Sequence, residues 1–237
     1  MDNYNNMSIK DNIAQIRMQI SAAAERAGRD PSEIEIIAVS KTKPVAAIVE
    51  AYNEGLTAFG ENYAQELISK MNSEPLSNLT DIKWHMIGHI QTNKIKSILG
   101  KTTLIHSLDS IRLAEAIQKQ AEKAGLIIDA LMEINVANEE GKYGFSMDEA
   151  QKALETIASL GNIRLLGLMT SAPITEIPES NRVYFRLINE FFLDIRHKKI
   201  DNTHMYTLSM GMSGDFEIAI EEGSTMLRIG TRLFGGR

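Results

Sequence analysis

The sequence predicts an α/β protein in which strands and helices alternate along the chain and close into a (β/α)8 TIM barrel. Short apolar runs, each followed by a segment of helical periodicity, predict this alternation, and Gly55, Gly125 and Gly161 stand where helices are expected to end. The predicted strands are 34–40, 58–60, 84–88, 104–107, 128–135, 163–169, 205–209 and 227–230. The predicted helices between them are 44–53, 64–71, 92–99, 111–124, 147–160, 181–197 and 216–222. Eight such units in 237 residues favour one barrel.

A doubly wound open sheet is the competing architecture. No Gly-x-Gly-x-x-Gly motif follows the first predicted strand, and no stretch rich in Pro, Gly or Ser divides the chain. We therefore expect a single domain over residues 1–237, with a disordered lead-in at 1–7 and a helix at 8–27 whose apolar residues share one face. The chain ends seven residues after Gly230, which leaves no room for an eighth outer helix of normal length. We expect the N-terminal helix to cover that part of the barrel.

The composition excludes several classes of protein. Hydrophobic residues make up 43% and charged residues 24%, as in an average globular domain, and no apolar stretch is long enough to span a bilayer. The absence of cysteine excludes disulfides, thiolate metal sites and thiol nucleophiles. The first ten residues do not form a secretory signal, so a cytoplasmic protein is the default expectation. A net charge of -6 disfavours general binding to nucleic acid or to membranes, whereas a local basic pocket for a small anion is compatible with it.

Lys41 is the first candidate for chemistry, because it follows the apolar run 36–40 at the carboxyl end of the first predicted strand. The active sites of (β/α)8 barrels lie at the carboxyl ends of their strands. A lysine that is partly desolvated there can have a lowered pKa and act as a nucleophile toward a carbonyl, forming a Schiff base. The alternative interpretation is an ordinary solvated lysine that begins a polar loop.

Other candidate residues also follow predicted strands, and the segments after the seventh and eighth strands are suited to phosphate. The first, 209–215, contains Ser209, Gly211 and Ser213 before a predicted helix, where backbone N–H groups favour an anion. The second is Arg228-Ile229-Gly230-Thr231, in the region where barrels often bind phosphate. The alternatives are a glycine-rich turn capped by Ser213, and a buried Arg228 paired with a carboxylate such as Glu217 rather than with a ligand.

Motifs for other chemistries are weak or missing. His85 and His89 have the i, i+4 spacing of zinc ligands on a helix, but residue 86 is Met and the segment reads as strand and turn, so metal binding is disfavoured. The sequence contains no Gly-x-Ser-x-Gly elbow and no Gly-Lys-Ser/Thr phosphate loop after a strand. Serine hydrolases and P-loop ATPases are therefore excluded as interpretations.

Several ungapped motifs closely resemble those of the pyridoxal phosphate homeostasis proteins (YggS/PROSC type), whose fold is that of the barrel domain of alanine racemase. The motifs are 37–43, 59–63, 84–94, 167–169, 208–215 and 223–231, and the resemblance runs from about residue 34 to the end of the chain. Residues 134–138 depart from the family's usual Asn-x-Ser pattern. The resemblance therefore implies no site residue on the fifth strand.

The resemblance implies a cofactor and its binding residues. Lys41 would carry pyridoxal 5'-phosphate (PLP) as a covalent aldimine, and Arg228 would face the pyridine nitrogen. The residues implied for the phosphate and its surroundings are Ser209, Gly211, Ser213, Gly230 and Thr231. Those implied to line the ring are Asn62, His85, Met169 and Met210.

The implied function is a carrier that holds PLP reversibly, regulates its free concentration and delivers it to apoenzymes, without evident turnover. A cationic arginine at the pyridine nitrogen weakens the ring as an electron sink, and racemisation needs a second acid/base that alanine racemases take from another domain. The alternatives that stay open are a PLP-dependent amino-acid racemase, a cofactor-free Schiff-base aldolase and a structural barrel. The absence of an obvious exposed apolar helix favours a monomer.

Overall fold

The structure, a computed structural model, describes residues 7–198 and 200–236, in which eight parallel strands form a closed barrel in chain order. The predicted (β/α)8 barrel is therefore confirmed. Its closure is made by β8 and β1, which pair from Glu35 opposite Met226 to Ala38 opposite Ile229. The strands are β1 Glu35–Val39, β2 Ala58–Glu61, β3 Lys83–Met86, β4 Leu104–Leu108, β5 Ile128–Ile134, β6 Ile163–Thr170, β7 Thr203–Met212 and β8 Met226–Ile229. The predicted lead-in at 1–7 lies outside the described residues except for Met7.

The helices alternate with the strands as predicted. They are α1 Ile9–Arg26, α2 Val45–Asn53, α3 Ala64–Met71, α4 Ile95–Ile98, α5 Ile111–Ala124, α6 Met147–Ala158, α7 Arg182–Lys198, α8 Phe216–Glu221 and α9 Thr231–Phe234. The single helix predicted at 92–99 is instead a 3₁₀ turn, Thr92–Lys94, followed by the one-turn α4. Among the helices of 7–198 and 200–236, none has the length and apolar character needed to cross a membrane.

Strand β7 is longer than predicted, and this changes the interpretation of the segment 209–215. The strand continues to Met212 because it pairs with β8 on both sides of an irregularity, with Ser209 opposite Met226 and Met212 opposite Arg228. Gly211 has φ +90 in this stretch, and a Cβ placed there would lie 2.5 Å from the Cβ of Ala219 on α8. The segment predicted as a loop is therefore mostly strand, and only its last residues form a turn.

The apolar core has two parts. Inside the barrel, Leu104, Leu131, Leu166 and Met169 form a small cluster with Met226. Since these residues come from β4, β5, β6 and β8, which are not all neighbours, they meet across the interior and fill it. A larger cluster lies between the strands and the surrounding helices and includes the fully buried Phe59, Phe185 and Phe216. The filled interior leaves the carboxyl ends of the strands as the place for a site.

Helix α1 lies outside the barrel against α2, α8 and α9. Its apolar face buries Ile13, Ile16 and Ile20. The buried Asn12 donates a hydrogen bond from Nδ2 to the carbonyl oxygen of Leu233 at the end of the chain, with a length of 3.0 Å. The four-residue α9 covers little of the barrel by itself, and α1 packs against α8 and α9 beside it.

Candidate functional site

A cavity of about 370 Å³ opens at the carboxyl ends of the strands. Predicted site residues from β1, β2, β7 and β8, or from the turns that follow these strands, reach it together because all strands of the barrel are parallel. Those that line it are Lys41, Asn62, Ser213, Arg228, Gly230 and Thr231. The turn after β1 supplies Lys41, which is the residue with a primary amine in this set.

Lys41 begins a turn two residues after the end of β1 and is half-buried. Thr42, the next residue, has φ +64, a left-handed conformation that is uncommon for residues with a branched Cβ. Lys41 thus lines the cavity next to a residue with an unusual backbone conformation.

The turns after β7 and β8 meet at the same cavity, and β8 is the neighbour of β1 in the barrel. The Ser213 hydroxyl accepts hydrogen bonds from the backbone N–H groups of Gly230 and Arg232, each 3.3 Å long. Gly230 lies beside β1, where a Cβ would be 3.3 Å from the Cβ of Val39. Asp215 closes the turn after β7, since its Oδ1 accepts a hydrogen bond of 2.7 Å from the N–H of Met212. These hydroxyl and N–H donors suit an anion such as a phosphate.

Arg228 lies at the base of the cavity and is 4% exposed. One guanidinium nitrogen, Nη1, donates to the carbonyl oxygen and the hydroxyl of Ser209 at 2.9 and 2.7 Å. The other, Nη2, donates to the carbonyl oxygen of Thr170 and the hydroxyl of Ser171 at 2.8 and 3.0 Å. Burial lowers the pKa of Arg228 to about 10, so the group stays cationic at neutral pH. The structural carboxylate considered as its partner, Glu217, pairs instead with Arg26 on α1.

The remaining predicted residues are not among those that line the cavity. Met169 belongs to the barrel interior, Met210 is fully buried, and Gly211 packs against α8. Ser209 and His85 lie in the interior as well, where they belong to one hydrogen-bonded chain. Of these, Ser209 is bonded to Arg228, which lines the cavity.

The hydrogen-bonded chain joins Arg228 to the two buried histidines. His106 contacts the Ser209 hydroxyl through Nδ1 at 3.0 Å and His85 Nδ1 through Nε2 at 2.9 Å. Because arginine only donates, the Ser209 hydroxyl accepts from Arg228 and can donate its own hydrogen bond to Nδ1 of His106. Nε2–H of His106 then donates to Nδ1 of His85. Burial lowers the pKa of His85 to about 4 and that of His106 well below its usual value, so both rings are neutral.

A neighbouring cavity contains residues that the sequence analysis did not single out. It has a volume of about 520 Å³ and shares Asn62 and Ile87 with the first cavity. Glu133 lines it, and burial, with a smaller contribution from Asp109, raises the pKa of this carboxyl to about 7. Glu133 could have been found from strand alternation, because it lies two residues after the interior Leu131 on β5.

His89 lies at the rim of this second cavity and does not act with His85. Its Nδ1 is 2.5 Å from Oδ2 of Asp109, and its ring stacks on Tyr143 with 3.8 Å between centroids. Within 7–198 and 200–236, no group of three or more His, Asp or Glu side chains could hold a metal ion. The structure therefore separates the two histidines whose spacing resembles that of zinc ligands.

The first cavity combines an amine, a set of anion-binding groups and a buried cation. This donor set fits a small ligand that carries both a carbonyl carbon and a phosphate. Asn62 and Ile87 also line the cavity, and they offer a polar and an apolar contact to the body of such a ligand.

Comparisons with known proteins show which family the chain resembles. The family model described as the N-terminal domain of alanine racemase matches residues 12–237. A protein of Aquifex aeolicus strain VF5, named pyridoxal phosphate homeostasis protein, is 44% identical over 231 residues, covering 98% of this chain and 99% of that protein. A protein of the same name from Escherichia coli strain K12 is 40% identical over 230 residues, covering 97% of each. The solved structure of PipY from Synechococcus elongatus PCC7942, described as having PLP bound, has a TM-score of 0.83 at 32% identity and covers 96% of this chain and 100% of that one.

The barrel and the match to residues 12–237 define a protein built on the alanine racemase N-terminal domain. At 44% and 40% identity over nearly the full length of its relatives, the chain belongs to the pyridoxal phosphate homeostasis protein family. Both relatives carry the name of a homeostasis protein rather than that of an enzyme.

Proposed function

We propose that this chain binds PLP, holds it covalently through the Lys41 amine and thereby regulates the free concentration of the cofactor, without catalytic turnover. The observation that carries the proposal is the cavity that brings Lys41, the Ser213 and Gly230 turns and Arg228 together. The relatives named for PLP homeostasis and the PLP-bound PipY structure support the choice of ligand.

Different residues of the cavity contact different parts of PLP. The Lys41 amine is the point of attachment for the aldehyde, and the Ser213 and Thr231 hydroxyls bind the phosphate. The N–H groups of Gly230 and Arg232 bind it as well, with a phosphate oxygen in place of the Ser213 oxygen as their acceptor. Asn62 lines the face of the ring, and Arg228 faces the ring nitrogen. We assign Ser209 to Arg228 rather than to the phosphate, because its hydroxyl is 2.7 Å from Nη1 of that residue. His85, Met169, Met210 and Gly211 support these groups from behind the cavity wall.

The residues favour storage over carbanion chemistry. When bound, PLP supplies an aldehyde carbon to which an amine adds reversibly. Arg228 donates four hydrogen bonds to neutral oxygens, so none of these partners neutralises its positive charge. This charge disfavours a proton on the ring nitrogen of PLP that Arg228 faces. This weakens the electron withdrawal on which racemisation depends.

We also propose that the chain acts as a monomer in the cytoplasm and passes PLP to apoenzymes. The cavity is open at the carboxyl ends of the strands, and the adjoining cavity that shares Asn62 gives a second molecule access to the same face. Transfer would then need only an amine from the recipient to compete with Lys41.

The experiment is spectroscopic and chemical. The purified protein, incubated with PLP, should show an absorbance band in the visible, and borohydride should fix one cofactor to the peptide that contains Lys41, as located by mass spectrometry. Lys41→Ala should lose the band and the modified peptide. Lys101→Ala, at an exposed position, is the matched control and should keep both.

A turnover assay with D- and L-alanine separates the carrier from the racemase. We expect no sustained interconversion with the PLP-loaded protein. Sustained racemisation that disappears with Lys41→Ala would contradict the proposal, as would attachment of PLP to a different lysine.

A further inference from the structure

Three charged side chains form a buried cluster behind the turn that carries Lys41. Lys70 on α3 is 7% exposed and donates from Nζ to the carbonyl oxygen of Ser40 at 2.7 Å, to Oε1 of Glu61 at 2.8 Å and to Oε1 of Glu66 at 2.7 Å. We call Glu61, Glu66 and Lys70 the Lys70 cluster. A lysine ammonium has three donors, so Lys70 is fully satisfied within the protein. The amine of Lys70 is therefore a structural group.

The cluster bonds to the residues on both sides of Lys41. The Ser40 hydroxyl donates to Oε1 of Glu61 at 2.6 Å, in addition to the bond between its carbonyl oxygen and Lys70. On the other side, the N–H of Thr42 donates to Oε1 of Glu66 at 2.6 Å. Lys41 thus lies between two residues whose backbone or side-chain groups are bonded to the same cluster.

The conformation of Thr42 requires such support. Its φ of +64 lies in the left-handed region, which is unfavourable for a residue with a branched Cβ and persists only where surrounding contacts determine it. The short hydrogen bond to Glu66 fixes the N–H of Thr42 in that conformation. A change in this backbone conformation would rotate the Cα–Cβ bond of the preceding Lys41 relative to the cavity.

The balance of charge also distinguishes the cluster from an ordinary surface ion pair. Glu61 is fully buried and Glu66 is partly exposed, and both share the one ammonium of Lys70. Burial raises the pKa of Glu61, and the bonds from Lys70 and Ser40 oppose this rise. Burying such charges is unfavourable unless each group is hydrogen-bonded. Here the hydrogen bonds of the cluster fix the geometry of the turn.

We propose that Lys70 and Glu66 are positioning residues that hold the turn of residues 40–42 so that the Lys41 amine faces the cavity. The inference rests on the proposed function for the identity of the ligand, but the geometry of the turn can be tested without any ligand. Neither residue is among those that line the first cavity, so their effect on the cofactor passes through Ser40 and Thr42.

The first test uses the protein without cofactor. Amide hydrogen exchange at Thr42, followed by NMR, should become faster by about tenfold or more in Glu66→Ala, which removes the acceptor. Glu66→Gln keeps an oxygen acceptor at the same place and should stay within about threefold of the unaltered protein. Lys83→Met breaks an exposed ion pair with Glu35 at the other end of the barrel and is the control for loss of a lysine charge.

The second test measures Lys41 itself. After brief exposure to PLP and borohydride, the fraction of Lys41 that is modified should fall by about tenfold in Glu66→Ala and in Lys70→Met, and should be restored in Glu66→Gln. Lys70→Met leaves Glu61 buried without its cation and can fail to fold. The comparison of Glu66→Ala with Glu66→Gln therefore decides the test. A purely structural role would lower thermal stability without changing the modified fraction of the folded protein.

The outcomes separate the two proposals. Unchanged Thr42 exchange, or unchanged modification of Lys41, in folded Glu66→Ala overturns the positioning role. If Lys41 of the unaltered protein is not modified at all, the proposed function fails, and faster Thr42 exchange in Glu66→Ala then supports the held turn independently.

Discussion

Arg228 illustrates how a single buried residue is stabilised by neutral partners. Its guanidinium is directly bonded to two carbonyl oxygens and two hydroxyls rather than to a carboxylate, and the more distant Glu133 and Asp215 favour its charge. A planar fork with donors on both nitrogens matches this arrangement, whereas a lysine presents a compact ammonium.

Arg228→Lys should therefore lower the free energy of unfolding by about 1–3 kcal/mol, because one ammonium cannot reach the oxygens on both sides. The measurement is urea unfolding of the two proteins without cofactor. The affinity for PLP should fall as well. Equal unfolding midpoints would show that the hydrogen bonds of Arg228 contribute little.

Glu133 gives the molecule a specific dependence on pH. Its pKa is raised from 4.5 to about 7, with burial as the main cause. The folded chain thus binds this proton more tightly than the unfolded chain, so the free energy of unfolding falls as the pH rises from about 4.5 to about 7. The full contribution is at most about 3 kcal/mol, from the size of the pKa difference.

Glu133→Gln should remove this dependence, because an amide does not titrate. Relative to the unaltered protein, the variant should gain about 1–3 kcal/mol between about pH 5 and about pH 8. Urea unfolding at the two pH values checks the difference, and other titrating groups cancel because both proteins contain them. Parallel pH profiles would contradict the assigned pKa.

At the scale of elements, the apolar face of α1 packs against α8 and α9 near the end of the chain. Ile16 on this face is 1% exposed, whereas Met18 on the opposite face is 66% exposed. The helix also pairs Arg26 with Glu217 and Glu221 of α8. Arg26 is half exposed in these ion pairs, so the buried face supplies most of the stabilisation.

Ile16→Ala should lower the free energy of unfolding by about 2–4 kcal/mol through lost burial and the resulting cavity. Met18→Ala is the matched control and should change it by less than about 0.5 kcal/mol. Thermal or urea unfolding measures both. A small effect of Ile16→Ala would show that α1 is not needed to cover the barrel near α8 and α9.

At the scale of the whole molecule, we propose that the closed barrel and its helices unfold as one domain. Each strand pairs with both neighbours, and the last strand pairs with the first, so local opening of one unit disrupts the next. A ligand that joins the turns after β1, β7 and β8 should therefore stabilise the molecule as a whole.

Calorimetry should show a single transition that PLP shifts upward. At about 100 times its dissociation constant the cofactor adds about 2.7 kcal/mol to the free energy of unfolding, which corresponds to a rise of about 5 to 10 °C in Tm. Lys41→Ala should reduce this shift. Two separate transitions, with only one sensitive to PLP, would contradict the single-domain proposal.

The sequence alone determined the alternation of strands and helices, and hence the barrel, because this information is local. Periodicity, glycines at helix ends and motifs after predicted strands are properties of short segments. The parallel order of the strands then placed Lys41 and Arg228 at one end of the molecule. The predicted seventh strand ended at residue 209, whereas β7 continues to Met212. Its last residues are held in the strand by pairing with β8 rather than by their own propensity.

Only the tertiary structure decided which side chains face the cavity and which support it. Ser209 and Ser213 are four residues apart in one motif, yet the first is bonded to the buried Arg228 and the second to the N–H groups of Gly230 and Arg232. The contact between Lys70 and the turn at Ser40 likewise joins residues 30 positions apart. Such contacts depend on how distant segments pack in three dimensions, and local sequence patterns do not record that packing.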